Sequence, residues 1–305
     1  MNRLYRGCRI LTGCCLAAAC ALVGCKTDEE EENRGTKVLM IGNSFSVSVM
    51  ANLPKIAEEG GVELDLASLA IGGASLKRHC DNVKKDGWKD YAPYDFVRNR
   101  FGQVSRKKFN LCDALRLVKW DVVTIQQASH ASWRPETYEP YGTNLIAKIR
   151  ELAPQAEVVV QEPWSYTPWD ARLKLWGIDQ KAMYARIHET VGEFARRHSL
   201  KVIPTGTAVE EWRRRRPVKY TENSFGNDVV GGRYCKERDL FMRRPDNRWE
   251  PKCDVFHLNE KGEYLQAFVW AVTLLDIDPM DIEYRPKDVT EQDSLLMKAV
   301  AVGVK

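Results

Sequence analysis

Two short stretches, far apart in the 305-residue chain, carry residue types that do chemistry together. In Ile41-Gly42-Asn43-Ser44-Phe45-Ser46 a serine follows the apolar run Lys37 to Ile41 and precedes a helical pattern from Val49 to Glu59. The neighbouring glycine permits close approach of the backbone, and the first N–H groups of a helix are unpaired donors. A serine hydroxyl is nearly unreactive at neutral pH. It needs a base to take its proton and donors for the oxyanion that its attack creates. In Asp254-Val255-Phe256-His257, just ahead of a helical run from Glu260, an acid stands three residues before a histidine. One turn can fold that carboxylate onto the imidazole, fix its tautomer and leave the second ring nitrogen as a base. Taken singly, each stretch has a plainer reading: an N-cap serine, and an N-cap aspartate beside a surface histidine. Taken together, they supply a nucleophile, Ser44, a base, His257, and an orienting acid, Asp254.

Such residues meet only if a scaffold brings them to one edge. Short apolar runs at Lys37 to Ile41, Val62 to Leu69, Asp121 to Ile125, Glu157 to Val160 and Lys201 to Ile203 read as five strands, four of them buried on both faces. Helical patterns at Thr143 to Leu152, Gln180 to His198 and Glu260 to Leu275 separate or follow the later strands, each with an apolar stripe and a polar opposite face. A last helical segment runs from Glu291 to Val300. This alternation predicts a three-layer α/β/α domain around a five-stranded parallel sheet. The segments His79 to Leu111 and Glu210 to Pro251 break the rhythm and read as insertions above the sheet, where open α/β sheets bind ligands. Arg213 to Arg216, inside the second, read as a solvated helix face.

Apolar residues make up 44% of the chain and charged residues 29%, which suits a folded globule and excludes a disordered or repetitive one. The formal charge of +4 includes Arg3, Arg6 and Arg9; without them +1 remains, so nucleic acid is not an expected partner. Those arginines precede the apolar stretch Leu16 to Val23, too short for a permanent membrane span. Its end, Leu22-Val23-Gly24-Cys25, resembles the lipobox of bacterial lipoproteins. The resemblance implies that residues 1–24 are a signal peptide and that Cys25 carries a lipid anchor. The protein would then sit at the outer membrane, on its periplasmic or cell-surface face. Residues 25–35, polar and mostly acidic, read as a solvated tether to a domain spanning 36–305. Four cysteines then remain, Cys80, Cys112, Cys235 and Cys253, an even number that fits an oxidising compartment. Local pairings Cys80–Cys112 and Cys235–Cys253 are expected. No close paired spacing suggests zinc, so neither metal nor cofactor is expected.

The whole pattern resembles the SGNH (GDSL-type) hydrolase superfamily, with a Gly-x-Ser block after the first strand, glycines after the second and Asp-x-x-His near the C-terminus. Asn43 stands where many members have Asp. The resemblance implies a flavodoxin-like fold, an esterase or deacylase activity, and the triad roles given above. It also implies an oxyanion donor after strand two, where Gly73 is preferred over Gly72. A third donor is usually the Asn of a Gly-x-Asn-Asp block at strand three. Here Ile125-Gln126-Gln127-Ala128-Ser129-His130 stands in its place, making Gln127 the first substitute and Gln126 the second, with His130 as an alternative that keeps the loop length. Aromatic residues cluster after strands three and four, namely Trp133, Tyr138, Tyr141, Trp164, Tyr166 and Trp169. Such faces stack on sugar rings, so Trp164, Tyr166 and Trp133 are candidate substrate contacts and an acylated carbohydrate is the expected substrate. The alternatives are a lipase or thioesterase, and a glycan-binding lipoprotein without catalysis.

Overall fold

The computed structural model describes residues 35–233 and 240–305. The expected signal peptide, Cys25, most of the tether, and Cys235 lie outside the described residues. In chain order the elements begin with β1 (Thr36–Gly42), the single turn α1 (Ser44–Val47), α2 (Leu53–Glu59) and β2 (Leu64–Ala70). Next come α3 (Leu76–Val83), β3 (Tyr94–Arg100), β4 (Gln103–Phe109), α4 (Leu111–Arg116) and β5 (Val122–Ile125). Then follow α5 (Tyr141–Leu152), β6 (Glu157–Gln161), α6 (Ala171–Trp176), α7 (Gln180–His198), β7 (Lys201–Ile203) and α8 (Thr205–Arg215). A small hairpin, β8 (Phe241–Arg243) and β9 (Trp249–Pro251), precedes α9 (Glu260–Leu274) and α10 (Glu291–Gly303).

One sheet runs in the order β4-β3-β2-β1-β5-β6-β7. Its parallel part, β2-β1-β5-β6-β7, is made of the five strands read from the sequence. Val38, Leu39, Met40 and Ile41 of β1 are at most 1% exposed, as a strand with neighbours on both edges and helices on both faces requires. Burying such a side chain stabilises by about 1.5–3 kcal/mol each, offset by the entropy of ordering the chain. Because all five strands are parallel, their carboxyl ends, and the residues that follow them, share one edge of the sheet.

The sheet has seven strands rather than five. β3 and β4 form an antiparallel hairpin that pairs with β2 and extends the sheet, so His79 to Leu111 is not an insertion above it. Every residue from Gln103 to Lys108 is exposed, and the strand lacks the apolar alternation that marks a buried one. Its Arg106, Lys107 and Lys108 are the kind of charge that keeps an open edge from pairing with another chain. α9 also departs from expectation. Residues Gly262 to Thr273 are buried all round, because α9 packs among α2, α8 and α10 with no face left to solvent.

Two further expectations are corrected. Cys80 and Cys112 are both free and buried, each packed as a small apolar side chain on its own helix rather than bonded to the other. The arginine run is not a solvated face throughout. Arg214 and Arg215 pair with Glu211, and Arg216 with Asp293. Arg213 is buried, 2.9 Å from Asp228 and 2.8 Å from the Ser165 hydroxyl. Asp228 in turn accepts the Val229 N–H at 2.8 Å and caps the loop that holds Gly231 and Gly232. Arg213→Ala leaves a buried carboxylate without its counter-charge. Chemical denaturation should then show a loss of about 3–5 kcal/mol, well above the effect of Arg214→Ala on the exposed side of the same helix.

Candidate active site

The turn after β1 is built around three residues. Gly42 has no side chain because a Cβ there would collide with the Ser46 side chain, which is drawn inward to donate 2.8 Å to the Asn43 carbonyl. Asn43 caps α1, its Oδ1 accepting the Phe45 N–H at 3.0 Å and the Gln126 amide at 2.7 Å. Its Nδ2 donates 2.9 Å to the carbonyl of Ala74. An aspartate could not make that last bond, which gives Asn43 a role that its rarer identity in the motif did not disclose. It ties the turns after β1 and β2 to the end of β5. Beneath α1, the Phe45 carbonyl accepts from Gln266 of α9 at 2.9 Å and from Gln161 of β6 at 3.2 Å. Ser44 therefore projects from a turn whose buried polar groups are bonded on every side.

His257 arrives from the opposite end of the chain. Its Nε2 lies 2.7 Å from Ser44 Oγ, and its Nδ1 lies 2.5 Å from Asp254 Oδ2. Asp254 Oδ1 accepts the backbone N–H groups of Phe256 and His257 at 2.9 and 2.8 Å, the one-turn fold that the spacing implied. Burial opposes the charge on Asp254, but the His257 ring and these N–H groups together outweigh it and hold its pKa below the usual carboxylate range. The loop is clamped from two sides. Gly231 and Gly232 donate to the carbonyls of His257 and Asp254 at 2.8 and 2.9 Å, and Trp164 Nε1 and Thr167 N donate to Phe256 and Val255 at 2.8 and 3.1 Å. The Phe45 ring lies flat on Trp164 at 3.9 Å and edge-on to His257 at 5.5 Å.

Ser44 and His257 open onto a cavity of about 410 Å3. Val47, Ala51, Ala70 and Val97 give it apolar walls; Ser68, Asp95, Arg233 and Glu263 give it polar ones. The Ser68 hydroxyl is buried and has no partner among the described residues. The backbone N–H groups of Ser44 and Gly72 have no acceptor among the described residues, so both remain available to an oxyanion. Gly72, not the preferred Gly73, lines this cavity; Gly73 takes the left-handed turn position beside it, with φ of 63°.

The side-chain donors read from the sequence are placed elsewhere. Gln127 is 1% exposed, and its Oε1 accepts the N–H groups of Leu76 and Ala128 at 3.0 and 2.8 Å. Its two amide hydrogens go to the Thr137 carbonyl and hydroxyl at 2.9 and 3.1 Å, leaving none for substrate. Gln126, equally buried, gives its amide to Asn43. His130 is exposed on the turn after β5 and bonds to none of the triad. The aromatic assignment also changes. Trp164 and Tyr166 are fully buried, so they support the histidine loop rather than touch substrate. Trp133 is half-buried and packs at 5.6 Å against Trp176. Ser44, His257 and Asp254 thus stand in one line of contacts beside the cavity, and the amide side chains of Gln126 and Gln127 bond elsewhere.

A family model described as a domain of unknown function (DUF4886) matches residues 37–237. A crystal structure of a DUF4886 family protein from Bacteroides uniformis ATCC 8492 is 25% identical with a TM-score of 0.71, over 88% of this chain and 94% of that one. Looser likenesses include a Clostridium thermocellum family 3 carbohydrate esterase, 14% identical with a TM-score of 0.42, over 79% of this chain and 96% of that one. A member of the lipolytic G-D-S-L family from Veillonella parvula DSM 2008 is 12% identical with a TM-score of 0.43, over 79% and 98%. No curated protein matches. Matched over more than half its length, the chain belongs to the DUF4886 family.

Proposed function

We propose that this protein is a serine hydrolase of esters, with O-acetyl groups on carbohydrate as its substrate. The observation that carries the reading is the unbroken chain of contacts from Ser44 Oγ to His257 to Asp254, 2.7 and 2.5 Å long, across 213 residues of sequence. In this mechanism Ser44 Oγ attacks the ester carbonyl carbon while its proton passes to His257 Nε2. The N–H groups of Ser44 and Gly72 hold the oxyanion. The intermediate collapses, His257 protonates the departing alcohol, and water then releases the acid from Ser44 by the same route in reverse. Beside its apolar walls the cavity of about 410 Å3 carries Ser48, Ser68, Asp95, Arg233 and Glu263, groups that support a substrate with hydroxyls near its ester. The Leu22-Val23-Gly24-Cys25 stretch supports a lipid anchor on Cys25 that holds the enzyme at the outer membrane, on its periplasmic or cell-surface face.

Acetate release from a panel of acetylated polysaccharides, set beside an acyl-length series of chromogenic esters, tests the substrate. Preference for acetyl and turnover of at least one polysaccharide are expected; a rate that climbs with chain length points to a lipase instead. One observation favours the second reading, a glycan binder without turnover: Gln127 gives its amide hydrogens to Thr137 and so does not supply a third oxyanion donor. Sugar binding with no ester hydrolysis would decide for it.

The depressed pKa of Asp254 has a kinetic consequence. The active form needs an ionised Asp254 to hold the His257 ring. Asp254 stays charged below the pH at which an ordinary carboxyl, about 3.9, takes its proton. Protonation of Asp254 should therefore add no break to log kcat/KM at about pH 4, and a break there would show Asp254 titrating as an ordinary carboxyl.

A further inference from the structure

A second cavity, of about 550 Å3, lies outside the triad, between the β8–β9 hairpin and the start of α6. Two half-buried tryptophans, Trp169 and Trp249, line it, with Arg244, Asp246, Arg248 and Glu250 around them. The volume is in the range of small-ligand sites, roughly 300–1,000 Å3, and the mixture of flat apolar rings with convergent polar groups is their usual lining.

Trp169 packs on one side against the small apolar cluster Phe225, Leu240 and Phe241, edge-on to Phe241 at 4.9 Å, and stays half-buried where it lines the cavity. Its indole N–H has no acceptor among the described residues, whereas a buried tryptophan usually pairs that group. The charges around the rings cancel. Arg248 lies 2.5 Å from Asp246, and Arg244 pairs with Glu250. An ion would find no net field here. All four side chains are well exposed, so these pairs are worth little and can turn to other partners. Alternating planar donors and acceptors beside aromatic faces suit a neutral ligand that has hydroxyls on its rim and C–H groups on its faces.

The cavity is also tied to the catalytic loop. β9 ends at Pro251, three residues before Asp254. Thr167, two residues before Trp169, bonds through both its N–H and its hydroxyl to the Val255 carbonyl, at 3.1 and 3.0 Å. Arg172, one residue after Ala171 of the cavity lining, places its guanidinium 4.4 Å from the ring centre of Phe256, next to His257.

We infer that this cavity is a subsite for a neutral pyranose unit of a carbohydrate chain, whose ring stacks on Trp169 and Trp249 while an ester elsewhere on the chain reaches Ser44. The inference deepens the carbohydrate reading of the active site and rests on it. The test uses the full chain carrying Ser44→Ala, so that nothing turns over. It is titrated with linear neutral oligosaccharides of xylose, mannose and glucose, and followed by tryptophan fluorescence and calorimetry. At least one should bind saturably with a change in tryptophan emission. Adding Trp249→Ala should weaken that binding about ten-fold or more, equivalent to about 1.4 kcal/mol. Ala171→Phe, which fills the cavity from an exposed helix start without removing any packing, should weaken it similarly and decides the matter if Trp249→Ala does not fold. Binding by none of the sugars, or unchanged binding in Ala171→Phe, overturns the subsite. Hydrolysis of a small chromogenic acetate by the wild-type chain is read separately: if it persists while the titration fails, only the subsite falls, and if both fail, the esterase reading falls too.

Discussion

Ser44→Ala should lower kcat on any ester substrate by roughly 10⁴- to 10⁶-fold, the scale seen when a triad nucleophile is removed. The size follows from the lost covalent step, not from lost binding. The cavity beside residue 44 keeps its walls, Gly72 among them, and the N–H groups of residues 44 and 72 gain no new acceptor among the described residues. KM should change little in comparison. The fold should be untouched, because the bonds that hold this turn are made by Asn43, Phe45 and Ser46, and among the described residues the Ser44 hydroxyl bonds only to His257. Steady-state kinetics together with a denaturation curve check both halves. A residual rate within ten-fold of wild type would remove Ser44 from its role.

Asp254→Asn should cost about 10⁴-fold in kcat, nearly as much, and for a different reason. The replacement keeps Oδ1, which can still accept the N–H groups of Phe256 and His257, so the loop retains its turn. Its new amide, however, would face His257 Nδ1 as a donor where Oδ2 now accepts. The ring must then carry its proton on Nε2, the atom that has to receive the proton of Ser44. Activity would be lost to the wrong tautomer with little change in geometry. Kinetics should show a drop in kcat that Asp254→Glu partly restores. An equal loss in both variants would point to collapse of the loop instead.

The parts that were legible in the sequence share a property: their physical signals are local. Gly42 through Ser46 form one turn and Asp254 through His257 another, so spacing alone constrained what each could do. The five parallel strands declared themselves because strands covered on both faces must be apolar throughout, as Val38 to Ile41 and Val158 to Val160 are. The β3–β4 hairpin did not, because an edge strand needs no apolar alternation and its charges resemble those of a loop. The amides and aromatics failed for a further reason. An amide at the end of β5 has the chemistry of an oxyanion donor, but whether Gln127 turns to the substrate or to Thr137 and Leu76 depends on contacts that composition does not encode. Trp164 and Tyr166 likewise follow β6 as expected, yet point inward under the histidine loop. Asn43 was visible only as a departure from a motif, although its amide joins three strand ends.

The most direct test of the central claim is covalent labelling of the wild-type chain with a fluorophosphonate, followed by peptide mass spectrometry. A serine activated by His257 and Asp254 should take up one label, on the peptide that contains Ser44, and His257→Ala should abolish it. A wild-type chain that stays unlabelled, or that is labelled on another residue and equally so without His257, would contradict the account.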